Sequence, residues 1–213
     1  MGTQTNDVYE GLKKAINENR YKPAESLTEL ELAGQYKVSR NTVKKALLML
    51  EKENLVTIER NKSAKVRAFS QKEILEYFEV RETLEGLVIR LAVPVITEEQ
   101  THRMEELIAQ MERLIAANEL LHYTRCNYEF HAVIYDACPN KKAAAMALAL
   151  KSQMDKHNLK IVLVPGRNLS SIDEHRAILH AVRDGDVELS EILMRRHIAN
   201  VRSAFQNNYQ ILL

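Results

Sequence analysis

The chain has 213 residues and a net charge of +1; 46% of its residues are hydrophobic and 28% charged, with only six Gly and four Pro. That length suits one or two domains, and the scarcity of turn formers excludes collagen, disorder and a sheet-rich sandwich while favouring long helices. No apolar run approaches the roughly 20 residues of a membrane span, the first residues are polar, and Cys126 and Cys138 form no C-x-x-C pair, so a cytoplasmic protein with no membrane segment is expected.

The small net charge conceals an asymmetry. Residues 1–70 hold 13 Lys and Arg against 9 Asp and Glu, a net of +4, while the remainder holds 17 against 20, a net of −3. A basic N-terminal module on a mildly acidic body points to a polyanion partner at one end.

In chain order, Val8, Leu12, Ala15 and Ile16 predict a first helix from about Asp7 to Asn17. Thr28 with Glu31 forms a capping-box signature for a short helix, and after Lys37 and Val38, Ser39 caps another. That third helix buries Val43, Ala46, Leu47 and Leu50 and turns Arg40, Asn41, Lys44 and Lys45 outward. Two short helices so tightly joined, the second with a basic outer face, read as helix-turn-helix. Leu55–Glu59 and Ala64–Arg67 read as two short strands around a wing that carries Lys62. A winged helix-turn-helix is thus expected over 1–67, with a linker at 68–70.

From Gln71 the period is helical almost without interruption. One helix carries Ile74, Phe78, Leu84, Leu87, Val88 and Leu91 and ends at Pro94; Thr97 with Gln100 opens the next, striped by Met104, Leu107, Ile108, Met111, Leu114 and Ile115. Further helices are expected over about 118–137, 141–157 (with Met146, Leu150 and Met154 on the stripe), 171–183 and 187–207, the last two joined by a tight hairpin at Gly185 and Asp186. Residues 71–213 therefore read as an all-helical bundle of six or seven helices, and the fold class as mainly α.

Polar residues interrupt three of these stripes. Asn127 and His131 lie four apart among Leu120, Thr124, Ile134 and Tyr135; His175 lies with Ile172, Ile178 and Leu179; His197 lies with Leu189, Leu193, Val201 and Phe205. His175 precedes Gly185 by ten residues and His197 follows it by twelve, so antiparallel helices would place the two imidazoles at heights differing by roughly 3 Å. Four such nitrogen and oxygen donors suit a divalent transition metal, zinc or a neighbour such as nickel or manganese. The alternative is three separately satisfied core histidines. His102, His122 and His180 fall among polar residues and read as solvated. Arg81, on a face with Tyr77, Leu84 and Val88, is either paired internally with Glu85 or reserved for an anion.

With those residues in view the sequence resembles the GntR family of bacterial transcription regulators, in its FadR-like branch with a helical FCD-type domain. Leu27-Thr-Glu-Leu-Glu-Leu-Ala33 is similar to the family's L-x-E-x-x-L-A, Val38-Ser-Arg-Asn-Thr-Val-Lys-Lys-Ala-Leu47 to V-S-R-x-P-V-R-x-A-L, and Leu50-Glu-Lys-Glu-Asn-Leu-Val56 to L-x-x-E-G-L-V. In the helical part Arg81-Glu-Thr-Leu-Glu85 resembles R-x-x-L-E, Asn127-Tyr-Glu-Phe-His131 resembles D-x-x-F-H, and Glu174-His175 and His197 resemble the two later histidines. The resemblance implies a homodimer that binds a double-stranded operator through Arg40, Asn41, Thr42, Lys44, Lys45 and Lys62. It also implies a metal on Asn127, His131, His175 and His197, beside a small organic acid effector held by Arg81. Departures are Ala24 and Asn54 where the family has Gly, Thr42 for Pro in the recognition helix, Ser63 for a wing Gly, and Asn127 for Asp.

A ligand-responsive transcriptional regulator, not an enzyme, is the leading expectation. Its rivals are a metal-dependent enzyme in the helical domain, for which no carboxylate stands out as a general base, and a metal-only or structural DNA-binding protein.

Overall fold

Val8, Leu12 and Ile16 become the buried face of α1 (Thr3–Asn17), each at 1% exposure or less. The helix starts a turn before the expected Asp7, because polar Thr3–Asn6 continue the backbone ladder without adding to the apolar stripe. The computed structural model describes residues 3–18, 20–59, 62–153 and 161–212, and divides at Ser70 and Gln71 into two units.

In the first unit, α2 (Glu29–Tyr36) is capped by Thr28, whose side-chain oxygen accepts from the Glu31 backbone N–H, and α3 (Arg40–Lys52) by Ser39, which accepts from Thr42 N–H at 3.1 Å. Val43, Ala46, Leu47 and Leu50 of α3 meet the α1 face in one apolar core. A three-stranded antiparallel sheet closes it, in the order β1 (Ser26–Leu27), β3 (Ala64–Val66), β2 (Val56–Thr57), with Leu27 opposite Ala64 and Val56 opposite Val66. β2 and β3 are shorter than the expected strands, and β1 was not expected at all. Two residues carry no period of their own, and this strand exists only through partners 37 and 39 positions further on. Ala24 and Asn54 hold left-handed backbone, with φ of 64° and 57°, at the two positions where the resembled family has Gly.

The second unit is all helical: α4 (Gln71–Ala92), α5 (Glu98–Ala116), α6 (Leu120–Ala137), α7 (Lys141–Gln153), α8 (Arg167–Arg183), α9 (Val187–Asn207) and the short α10 (Tyr209–Leu212). Ile161 is helical too, so among the described residues the helical segments slightly exceed the expected six or seven. α5 has the full Thr97–Gln100 capping box. α4 packs along α9, where Phe78 and Phe205 meet at 6.0 Å between ring centroids, α5 packs against α6 and α8, and α7 against α4. α8 begins at Arg167, a turn before the expected Ser171, after Gly166 in left-handed backbone (φ 77°). The expected end of α7, with Met154, lies outside the described residues.

Three stripe assignments are corrected. Leu87, Met146 and Leu189 are exposed, and the buried face of α9 runs through Ser190, Met194, His197, Ile198 and Phe205. Its phase is set by Ser190, a polar residue that apolar periodicity passes over.

Candidate metal centre and nucleic-acid face

On the first unit Arg40, Asn41, Lys44 and Lys45 project from exposed positions of α3. Arg40, Lys44 and the wing residue Lys62 border one cleft of about 340 Å³ between α2, α3 and the β2–β3 hairpin. Arg40 pairs with Glu29 at 3.3 Å and Lys62 pairs with Glu59. Both pairs are solvated, so they hold the cations in place weakly and release them at small cost. Thr42 is half-buried, its hydroxyl 2.8 Å from that of Ser39, which ties it to the start of α3.

In the second unit the three stripe histidines converge. His131 of α6, His175 of α8 and His197 of α9 are all buried, with ring centroids 4.7 to 5.5 Å apart, and one nitrogen of each lies within 4.8 Å of the others. Three imidazole nitrogens around a tetrahedral zinc would stand about 3.3 Å apart, so modest side-chain rotation closes the set. Asn127, one turn before His131, borders a cavity that His131 and His197 also border.

The hydrogen bonding of the rings distinguishes a ligand set from three satisfied core histidines. His131 Nδ1 lies 2.9 Å from Glu85 Oε2, and His197 Nδ1 lies 2.6 Å from Glu174 Oε2. These contacts fix each ring and leave Nε2 for another partner, the arrangement by which carboxylates orient metal-binding histidines. Among the described residues His131 Nε2 and both His175 nitrogens have no hydrogen-bond partner. A buried imidazole with neither nitrogen satisfied, tilted at 42° against Phe130 with ring centroids 4.4 Å apart, is costly in a core and suited to a cation. The donor set therefore fits a divalent metal.

Each carboxylate is in turn held by an arginine. Arg81 pairs with Glu85, as its internal alternative required, and also borders the cavity; Arg167 grips Glu174 through both terminal nitrogens, at 2.8 and 3.2 Å. Burial pushes the Glu174 carboxyl up, but His197 and Arg167 outweigh it and hold the group at about 2. Glu85, opposed likewise by burial, is held well below the usual carboxylate range by Arg81 and His131. Burial drives the imidazoles the other way, His131 to about 3, with His175 and His197 also lowered, so all three are neutral and ready to ligate at neutral pH. By contrast His102, His122 and His180 are exposed.

A cavity of about 70 Å³ opens beside the centre, bordered by His131, His197, Asn127, Arg81, Arg167 and Lys151. Sequence reasoning missed Lys151 and Arg167 here, and took Glu174 only as a motif neighbour of His175. Arg167 and Glu174 are seven apart and face each other across two turns of α8, a signal legible in the sequence. Lys151 offered none, since it sits in a run whose apolar pattern is weak.

Residues 4–66 match the family of bacterial regulatory proteins called gntR, and residues 76–200 match the FCD domain. Similar proteins include the HTH-type transcriptional regulator YdhC of Bacillus subtilis (strain 168), 26% identical, covering 86% of this chain and 82% of its own. The HTH-type transcriptional repressor GlaR of Escherichia coli (strain K12) is 24% identical, over 90% of this chain and 91% of its own. The solved structure of E. coli McbR/YncC superposes with a TM-score of 0.71 at 22% identity, covering 100% of this chain and 98% of that one, which speaks to the fold.

Proposed function

The chain belongs to the GntR family of bacterial regulatory proteins and carries an FCD domain, and from that premise we propose that its helical unit binds one divalent metal ion and a small organic acid, and so regulates operator binding. As a member of the family it is a DNA-binding transcriptional regulator, and the relatives it matches are regulators, not enzymes. In this reading residues 1–67 form the DNA-binding domain, 68–70 the linker, and 71–213 the ligand-binding and homodimerisation domain. Arg40, Asn41, Thr42, Lys44, Lys45 and Lys62 meet the major groove or its phosphates.

The observation that carries the metal reading is His175: fully buried, with neither ring nitrogen hydrogen-bonded among the described residues, and within ligand distance of two histidines that carboxylates already orient. His131, His175 and His197 would hold the ion, zinc or a neighbour such as nickel or manganese, with Asn127 as the fourth donor. A bound ion supplies charge and open coordination for an acid. Asn127, a neutral amide, leaves the full double charge on the ion, which weakens metal affinity but strengthens the pull on an anion. Arg81 and the other cavity cations hold the carboxylate.

The test is calorimetry on chelator-stripped protein. Zinc is expected to bind at one per chain, and Asn127→Asp to tighten zinc while weakening acid capture. A stripped protein that rejects zinc overturns the reading.

A further inference from the structure

The outer side of α4 carries a pattern that the core does not require. Glu76, Val80, Thr83, Leu87 and Arg90 recur at intervals of four, three, four and three, the spacing of a coiled-coil seam, and all five are exposed. Two of them are large and apolar, Val80 at 52% exposure and Leu87 at 37%. On the adjoining α9, Ile192 is 59% exposed and follows Glu191, which pairs with Arg90 at 3.4 Å. Single exposed apolar residues need no explanation. Three on neighbouring turns of two packed helices, with charge at both ends, have the make-up of an interface.

The charges say what covers it. Glu76 lies seven residues before Thr83 and Arg90 seven after, so they stand about 10.5 Å from Thr83 in opposite directions along one face of the helix. A second α4, laid antiparallel about a two-fold axis at Thr83, brings Glu76 of each copy to Arg90 of the other and Val80 to the turn that carries Leu87. An isologous interface requires this self-complementarity, because every contact occurs twice with the copies exchanged. An unrelated partner would need no such symmetry. The present partners of these charges, Lys72 at 3.8 Å from Glu76 and Glu191 beside Arg90, form exposed pairs that give way at small cost.

We propose that the outer seam of α4 is a two-fold interface with a second copy of this chain, Glu76 of each copy on Arg90 of the other. The proposal rests on the reading that 71–213 holds a homodimer and adds the surface, its direction and the pair that sets its register.

The experiment is a charge exchange on the full chain, read as the dimer dissociation constant by sedimentation equilibrium at low ionic strength. Glu76→Arg and Arg90→Glu are each expected to weaken the dimer ten-fold or more, since each sets like charges together at both ends. The double variant is expected to recover most of the loss, and so is an equimolar mixture of the two single variants, whose heterodimer has opposite charges at both ends. Leu87→Glu should also weaken it, and Leu121→Glu, exposed on α6 away from the seam, should not. Thermal melting establishes that the variants fold. A wild type that is monomeric at micromolar concentration overturns the homodimer itself. A wild-type dimer whose constant none of the α4 variants moves leaves the homodimer intact and overturns this face. Single variants that weaken the dimer without recovery in the double variant or the mixture overturn the Glu76–Arg90 pairing.

Discussion

The two units bury different chemistry. Every polar or charged side chain that is buried among the described residues belongs to 71–213: Arg81, Glu85, Thr101, His131, Lys151, Arg167, Ser171, His175, Ser190 and His197. The core of 1–70 is apolar throughout, and its functional candidates stand on the outer face of α3 and on the wing. A groove reader needs only a rigid platform that presents cations to a large exposed polyanion. On the proposed function, a receptor for a small ion and a small acid would have to enclose both and carry its chemistry inside, where an unpaired charge is expensive.

That contrast can be broken most sharply at Glu85. Glu85→Gln removes the buried negative charge that both Arg81 and His131 meet, so denaturant unfolding should show a loss of about 3 kcal/mol. Arg40→Gln removes an ion pair from the other unit and should change stability by no more than about 0.5 kcal/mol. Equal effects would erase the distinction between the two units.

Acid offers a second, graded test. Burial lowers all three buried imidazoles from their usual 6.5, His131 to about 3, His175 well below that usual value, and His197 as well. The unfolded chain therefore takes up protons first as pH falls, and stability falls with it from about pH 6.5 toward 3. Glu85 and Glu174, both depressed, act in the same direction at lower pH, with Lys151 and Arg167 as the neighbouring fixed charges. The melting temperature of the metal-free chain should drop across that window. A flat profile would mean that the histidines are not buried neutral.

How much of this was legible in the sequence follows the same divide. The stripe Met104, Leu107, Ile108 and Met111, the caps at Thr28, Ser39 and Thr97, and the hairpin at Gly185 all act locally, so spacing alone announces them. The three histidines were legible as polar intruders on apolar stripes, and helix rise brought His175 and His197 to similar heights, while only the resemblance to the family joined His131 to them. What spacing could not show is whatever two distant segments decide together. β1 exists only through β3, and the Glu85–His131 contact spans 46 positions. Lys151 is buried by the helices around it and not by any pattern in its own.

Smaller effects sharpen the picture of the first unit. Lys44 is exposed on the cleft that Arg40 and Lys62 share. If it meets a phosphate, Lys44→Ala should weaken operator binding and lower the slope of log affinity against log salt by about one in a mobility-shift titration. An unchanged slope would move Lys44 off the backbone. The smallest effect is expected at Ala24, held at φ 64°. Ala24→Gly relieves the left-handed strain and should stabilise the unit by about 0.5 kcal/mol, the unfolded-state entropy of Gly taking back part of the gain.

The claim that the buried polar core of 71–213 is a metal centre is tested most directly by elemental analysis of untagged wild type, His197→Ala and His180→Ala, purified side by side and offered zinc. The expected result is about one metal ion per chain in the wild type and in His180→Ala, whose ring is solvated, and none in His197→Ala. A wild type that carries no metal and takes up no zinc, or a His197→Ala protein that keeps its full complement, would contradict the account.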